Sequence, residues 1–253
     1  MPFPPQSFLS EYGKKVEDCL HYKKKFELPT DFGKGRTLLH FGAVDQIAEV
    51  WLNGQLLGKH EGGYLPFSFD ISDCVKEDGE NLLKVSVTDR LDKTYPYGKQ
   101  TKNPGGMWYT AVSGIWQSVW LENVPKEYIR SVKLDADLKG VTVTMEGVSS
   151  FSAEVDGKIH EFSGNSGRID IEEPILWTPD EPHLYPLILR AGEDEVESYF
   201  ALREIKIEKY SGISRVLLNG KPLFLKGICK HEMIGDSGHV VTPAQLEQDL
   251  RMI

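Results

Sequence analysis

The chain has 253 residues, with 38 Asp and Glu against 29 Lys and Arg, a formal net charge of −9, and 40% hydrophobic and 26% charged residues. That balance is ordinary for a globular protein able to build its own core, and the length suggests about two domains. An acidic chain repels phosphate backbones, which argues against nucleic acid as a partner, and no run of roughly 18 apolar residues is present to span a membrane.

The cysteines Cys19, Cys74 and Cys229 are odd in number and widely spaced, with no C-x-x-C pair. They make neither a disulfide framework nor a zinc signature, and they fit a reducing compartment. The opening MPFPPQSFLSEYG has three prolines and no apolar core. It does not read as a signal peptide, so the expected location is cytoplasmic.

From residue 20 to about 226 short alternating runs are broken by turn residues, the pattern of half-buried antiparallel strands. Lys23, Lys24 and Lys25 lie in a strand with Tyr22 and Phe26 and read as its solvated face. Glu49–Leu52 leads into Asn53-Gly54, a hairpin signal because both positions tolerate positive φ. Residues 80–89 place Leu83, Val85 and Val87 on one face and Lys84, Ser86 and Thr88 on the other. Residues 115–122 alternate likewise and close a first domain, with Asn123-Val124-Pro125 as the boundary.

A second cluster of strands follows. Val132, Leu134 and Ala136 form one stripe and Val141, Val143 and Met145 another. Asp156-Gly157 turns Phe151–Val155 into Ile159–Phe162; then come Ile169 with Ile171, residues 184–191 and residues 198–207. Seven or so short strands at this spacing predict an immunoglobulin-like sandwich. Val216–Leu218, the turn Asn219-Gly220 and Leu223–Ile228 are still strand-like. Thr242-Pro243-Ala244-Gln245 then reads as an N-cap, a proline at the first helical position and a capping-box Gln. Leu246, Leu250 and Ile253 follow at i, i+4 and i+7. A helix that stops without a C-cap signal leads us to expect that the natural chain continues.

Residues 41–89 carry Gly42-Ala43-Val44-Asp45, V-W-L-N-G at 50–54, Gly58, His60-Glu61-Gly62-Gly63, Pro66-Phe67 and Asn81. This segment resembles the sugar-binding jelly roll of family 2 glycoside hydrolases, the β-galactosidase and β-glucuronidase family. Residues 105–122 are similar to the strand ending that domain, residues 176–203 to the family's immunoglobulin-like second domain, and residues 216–253 to the entry into its catalytic barrel. The resemblance runs in order along nearly the whole chain. It implies an all-β chain: a jelly-roll sandwich over 1–125, an immunoglobulin-like sandwich over 126–207, and a truncated start of a TIM barrel over 208–253.

The resemblance also implies a retaining β-glycosidase as parent, using two carboxylates about 5–5.5 Å apart. In relatives both are glutamates on late barrel strands, the acid/base following an Asn; no Asn-Glu occurs in this sequence. This chain is therefore expected to be the non-catalytic front part, inactive alone, supporting and partly walling a site whose substrate is a carbohydrate. These domains in relatives also contribute to homo-oligomer contacts. Lys230 leans towards the glucuronidase side, where a K-H-E triplet occurs. The alternative is a free-standing carbohydrate-binding module, against which the barrel-like tail at 208–253 speaks.

Four substrate-binding candidates arise. His231 with Glu232 falls just past the strand Leu223–Ile228, and barrel sites gather at the carboxyl ends of strands. Relatives place the histidine of a similar motif against the sugar; the plainer reading is a structural hydrogen bond in a loop. Trp108 and Tyr109 sit in a loop with Asn103, Pro104, Gly105 and Gly106, where flat rings can stack on a sugar. In many relatives an acid of this loop reaches the active site; here none is present, a departure from the pattern. Trp51, Trp116 and Trp120 read as packing, and His60-Glu61 as a surface turn. Gly235-Asp236-Ser237-Gly238 is shared with serine proteases but reads as a turn without a base and orienting acid. No cofactor or metal motif is present.

Overall fold

In the computed structural model, residues 3–13, 18–230 and 241–253 are described. The chain divides into two compact units, Met1–Lys126 and Glu127–Ile253. In the first unit the strands are β1 (Cys19–Phe26), β2 (Arg36–Phe41), β3 (Val44–Asp45), β4 (Ile47–Leu52), β5 (Gln55–Glu61), β6 (Phe67–Asp70), β7 (Asn81–Thr88), β8 (Gln100–Thr101), β9 (Tyr109–Thr110), β10 (Gly114–Ile115) and β11 (Val119–Val124). They build a sandwich of two main sheets, ordered β1-β7-β4-β5 and β11-β2-β6, with the short pairs β10-β3 and β8-β9.

The pleat explains which residues meet. In β7 the pattern alternates, with Leu83, Val85 and Val87 buried and Lys84 exposed. Antiparallel pairing sets these against Leu52, Val50 and Ala48 of β4, all fully buried. Phe41, Leu39, Val44, Ile71 and Ile115 complete the core from the facing layer. The lysines of β1 are exposed, as the sequence suggested.

A buried polar knot holds one end of this ladder. Asn53, at the first position of the β4–β5 turn with φ +52°, donates to Cys74 O and Asn81 Oδ1, both at 2.8 Å, and accepts from Leu82 N at 2.9 Å. Asn81 is fully buried; it accepts from Lys76 N at 2.8 Å and donates to Lys76 O at 3.0 Å. Every strong polar atom of the two amides is used, which is what makes their burial tolerable.

The second unit has β12 (Ser131–Ala136), β13 (Gly140–Glu146), β14 (Phe151–Val155), β15 (Lys158–Phe162), β16 (Ser166–Asp170), β17 (Tyr185–Ala191), β18 (Asp194–Phe200), β19 (Ile205–Tyr210), β20 (Ile213–Leu218), β21 (Lys221–Pro222) and one helix, α1 (Pro243–Met252). Sheets β12-β13-β16 and β15-β14-β17-β18 enclose Val141, Val143, Met145, Ile169, Leu187, Leu189 and Leu202, and β19-β20-β21 forms a third sheet. The tight hairpin at Asp156-Gly157 has φ +51° and +74°, both in the left-handed region.

Three expected strands differ from the structure. The run 115–122 is broken between β10 and β11, because the opposing chain is itself interrupted at Gly42-Ala43. Gly42 N donates to Ser118 O at 2.9 Å and Trp116 N to Ala43 O at 3.4 Å, so the two breaks match across the ladder. The run 198–207 is broken at 201–204, where the chain leaves the sheet to bury Leu202. There Leu202 O accepts from Trp177 N at 2.9 Å, and Leu176 and Leu202 form a parallel bridge. Beyond Leu223, whose N–H reaches Val216 O at 2.9 Å, residues through Ile228 form no strand, since the described residues offer them no neighbouring edge.

The N-cap of α1 is as the sequence indicates. Thr242 Oγ1 accepts from Gln245 N at 3.3 Å and the Gln245 side chain accepts from Thr242 N at 3.0 Å, a complete capping box. Replacing Asn81 with Ala leaves Lys76 and Asn53 groups unpaired. It is expected to lower unfolding stability by about 2–3 kcal/mol, and the Asn53→Ala, Asn81→Ala double variant by less than the sum of the singles, in urea denaturation. Leu189→Ala, at the centre of β17, is expected to cost about 3 kcal/mol, read as a lower urea midpoint at unchanged slope.

Candidate functional site

The segment 90–112 joins β7 to β10 and carries the aromatic pair singled out above. Its tip is a tight turn in which Trp108 N donates to Gly105 O at 3.1 Å. The chain then enters β9, paired in parallel with β8 so that Tyr109 lies beside Gln100 and Thr110 beside Thr101. Tyr109 N donates to Lys99 O at 2.9 Å, closing the base of the turn. Trp108 is 47% exposed and Met107 61%, while Tyr109 is half-buried. The turn therefore presents one indole to solvent beside a more sheltered phenol ring, a surface suited to stacking on the apolar face of a pyranose.

Beneath this loop lies a polar cluster. Gln100 Oε1 accepts from Val112 N at 2.7 Å, and its side chain lies near Asp45 and Tyr64. Asp45 is 6% exposed, and its carboxyl is pushed up to about 7, first by burial and then by the nearby Asp89 charge, against the lowering effect of the Gln100 bond. Burial also raises Asp89, whose carboxylate accepts from Leu91 N at 2.8 Å, and Tyr64. Trp116 Nε1 donates to Gly63 O at 2.8 Å, with its ring edge-on to Tyr64 at 6.3 Å. Neither Gln100 nor Tyr64 emerged from the sequence. The available signal was a charged residue inside the apolar run at 41–48.

The remaining sequence candidates fall elsewhere. His231, Glu232 and the segment 235–238 lie outside the described residues. Just before them, Lys230 pairs with Asp249 of α1. His60 stacks on Phe67 with centroids 4.1 Å apart. Glu61 accepts from Tyr95 Oη at 3.2 Å and pairs with Lys59 at 2.6 Å, which lowers its pKa. Of the tryptophans read as packing, Trp51 and Trp116 are half-buried. Trp120 is exposed on one side and stacks on His40 at 4.9 Å on the other.

Among the described residues no group of three or more His, Cys, Asp or Glu could hold a metal, and no helix is long and apolar enough to cross a membrane. At the other end of the β1–β7 ladder a cleft of about 500 Å³ is lined by Glu27, Asp31, Phe32, Glu77 and Asp78. It offers carboxylates but little aromatic surface for a sugar.

Comparison with known proteins gives a consistent picture. The model described as the sugar-binding domain of glycosyl hydrolases family 2 matches residues 5–125, and the model described as glycosyl hydrolases family 2 matches residues 122–203. A β-galactosidase of Lactococcus lactis is 31% identical over 255 residues, covering 92% of this chain and 24% of that protein. A β-glucuronidase of Paenibacillus borealis is 26% identical, covering 83% of this chain and 40% of that protein. Among solved structures, a Faecalibacterium prausnitzii β-glucuronidase superposes with a TM-score of 0.76 at 27% identity, covering 100% of this chain and 48% of that one. An uncultured Clostridium β-glucuronidase gives 0.73 at 27%, covering 96% and 44%. The chain thus spans less than half the length of these relatives. The two family models run consecutively from residue 5 to residue 203, over sheets that form the corresponding pair of sandwiches, and the chain belongs to glycosyl hydrolase family 2.

Proposed function

We propose that this chain is the non-catalytic front part of a retaining β-glycosidase acting on β-galactosides or β-glucuronides. In this reading residues 1–125 are a sugar-binding jelly roll, 126–207 an immunoglobulin-like domain and 208–253 the opening of a catalytic (β/α)8 barrel. The observation that carries it is the apolar surface left uncovered after residue 204. Ile207 is 76% exposed, Phe224 81% and Leu250 63%, and Ile205, Leu225, Ile228 and Leu246 are exposed as well. No residue of α1 is buried among the described residues, although its N-cap is complete and its leucines are spaced i, i+4.

Burying a Leu, Ile or Phe side chain is worth about 1.5–3 kcal/mol. Seven such residues left open represent on the order of 10 kcal/mol of unrealised stabilisation. A polar surface would serve a free-standing module better; this one suits a barrel whose further strands and helices cover it. The names of the relatives supply the substrate class.

In the same reading His231 and Glu232 contact the sugar, and Trp108 and Tyr109 wall the site from the jelly roll. The division of labour follows from chemistry: retention needs a carboxylate pair at bonding distance from one anomeric carbon, and the described sandwiches only position what surrounds it. Homo-oligomer contacts through these domains belong to the same proposal.

The test is turnover of p-nitrophenyl β-galactoside and β-glucuronide by this 253-residue chain and by the product of the full reading frame. The expected result is no turnover by the chain and turnover by the longer protein. In the longer protein, Trp108→Ala is expected to raise KM roughly tenfold with circular dichroism unchanged, as loss of one stacking contact predicts. Turnover by the chain alone overturns the proposal, and inactivity of both proteins favours the free-standing binding module.

A further inference from the structure

The segment 90–112 departs in charge from the rest of the chain. It holds Arg90, Lys93, Lys99 and Lys102 against Asp92 alone, in a chain whose formal net charge is −9. All four cations are exposed. The acids around the segment already have partners. Asp18 pairs with Lys102 at 3.0 Å, and Glu61 pairs with Lys59 at 2.6 Å and accepts from Tyr95 Oη. Asp89 accepts from Leu91 N at 2.8 Å and Asp92 from Thr94 N at 2.9 Å. Among the described residues no acid pairs with Lys93 or Lys99.

The backbone of the loop sets one of these cations beside its exposed ring. Gln100 and Tyr109 are partners in the β8–β9 ladder, and Lys99 O accepts from Tyr109 N at 2.9 Å. Lys99 and Trp108 each come one residue earlier, so they lie next to one another where the ladder begins. Exposure divides the same way: Gln100 and Tyr109 are half-buried, whereas Lys99 and Trp108 are open to solvent. The result is an ammonium without a protein counter-ion, adjacent to an open indole.

That combination has the chemistry of a charged sugar. An indole face takes the apolar face of a pyranose. A free ammonium takes an anionic substituent of the same ring, through a charge-assisted hydrogen bond stronger than one to a hydroxyl. Nucleic acid fits less well. A single-stranded tract is held by successive rings, and of Tyr95, Tyr97, Trp108 and Tyr109 only Trp108 is exposed, the tyrosines being half-buried. Away from the loop an acidic chain repels a long polyanion, and a Debye length of about 8 Å confines the loop's attraction to groups seated on it.

We propose that the loop 90–112 binds an acidic oligosaccharide, one pyranose on the Trp108 indole and the carboxylate or sulfate of that sugar on Lys99. Arg90 and Lys93 add to the positive charge of the same segment. The site goes beyond the glycosidase reading and does not rest on it, because binding needs only this chain and no catalytic carboxylate.

The test is isothermal titration calorimetry of the whole chain with a chondroitin sulfate hexasaccharide, its desulfated form, neutral cellohexaose and oligothymidylate. Binding of the desulfated form assigns the uronate carboxylate to Lys99; binding of the sulfated form alone assigns the sulfate. For the acidic probe that binds, Lys99→Ala is expected to weaken affinity roughly tenfold, as loss of one hydrogen bond to a charged group predicts, and Lys99→Arg to retain it. Trp108→Ala is expected to weaken the same probe about tenfold, as loss of one stacking contact predicts. Raising salt from about 50 to about 300 mM is expected to weaken the acidic probe and leave any cellohexaose binding unchanged.

Equal affinity for cellohexaose and the acidic probes overturns the proposal. So does binding that both Lys99→Ala and Trp108→Ala leave unchanged, or a preference for oligothymidylate. Absence of binding to either chondroitin probe overturns this site while leaving the turnover expected of the longer protein untouched, so the two readings fail separately.

Discussion

The ladder between β4 and β7 is the contact on which the first unit depends. It sets Ala48 opposite Val87, Val50 opposite Val85 and Leu52 opposite Leu83, six apolar side chains on one face of one sheet. Because the side-chain period of a strand is two, a slip of one residue would turn the three on the slipped strand to the outer face. The Asn53–Asn81 knot opposes that slip, since its hydrogen bonds close only when Leu52 lies opposite Leu83. Both the facing sheet and the 90–112 loop are hung on this frame: β3 leads into β4, and Asp89 directly follows β7.

The same frame explains why an acid is tolerated inside. Asp45 is carried into the interior by its neighbours, Val44 and Ala48, which are fully buried. Position in the strand decides its burial, and the carboxyl then takes what partners the surrounding turns supply. The side chains of Gln100 and Tyr64 nearby are neutral. They are a poor shell for a carboxylate, which in a low-dielectric site needs a cation or several donors.

The two units differ in how completely they cover themselves. Each sandwich closes a contiguous apolar core. The segment from β19 onward instead exposes its isoleucines, its phenylalanine and the apolar stripe of α1. Local signals were sufficient to start that helix, because a capping box involves only residues three apart. They do not give it a stable home: a helix of about three turns is marginal without packing of its apolar face.

The sequence determined by itself what is set by neighbours along the chain: the alternating strands, the turns at Asn53-Gly54 and Asp156-Gly157, the capping box at Thr242, and the aromatic pair at the tip of a glycine-rich loop. It also carried enough of the family's pattern to identify both sandwiches. Interruptions of strands were decided by the partner strand, since the break at Trp116–Ser118 exists because β2 and β3 break opposite it. The same holds for Leu223–Ile228, an apolar run that reads as a strand yet beyond Leu223 has no edge to pair with among the described residues. The cluster of Asp45, Tyr64, Gln100 and Asp89 was likewise invisible: its members are separated along the chain, and only the closing of the sandwich brings a carboxyl, an amide and a phenol into one water-poor space.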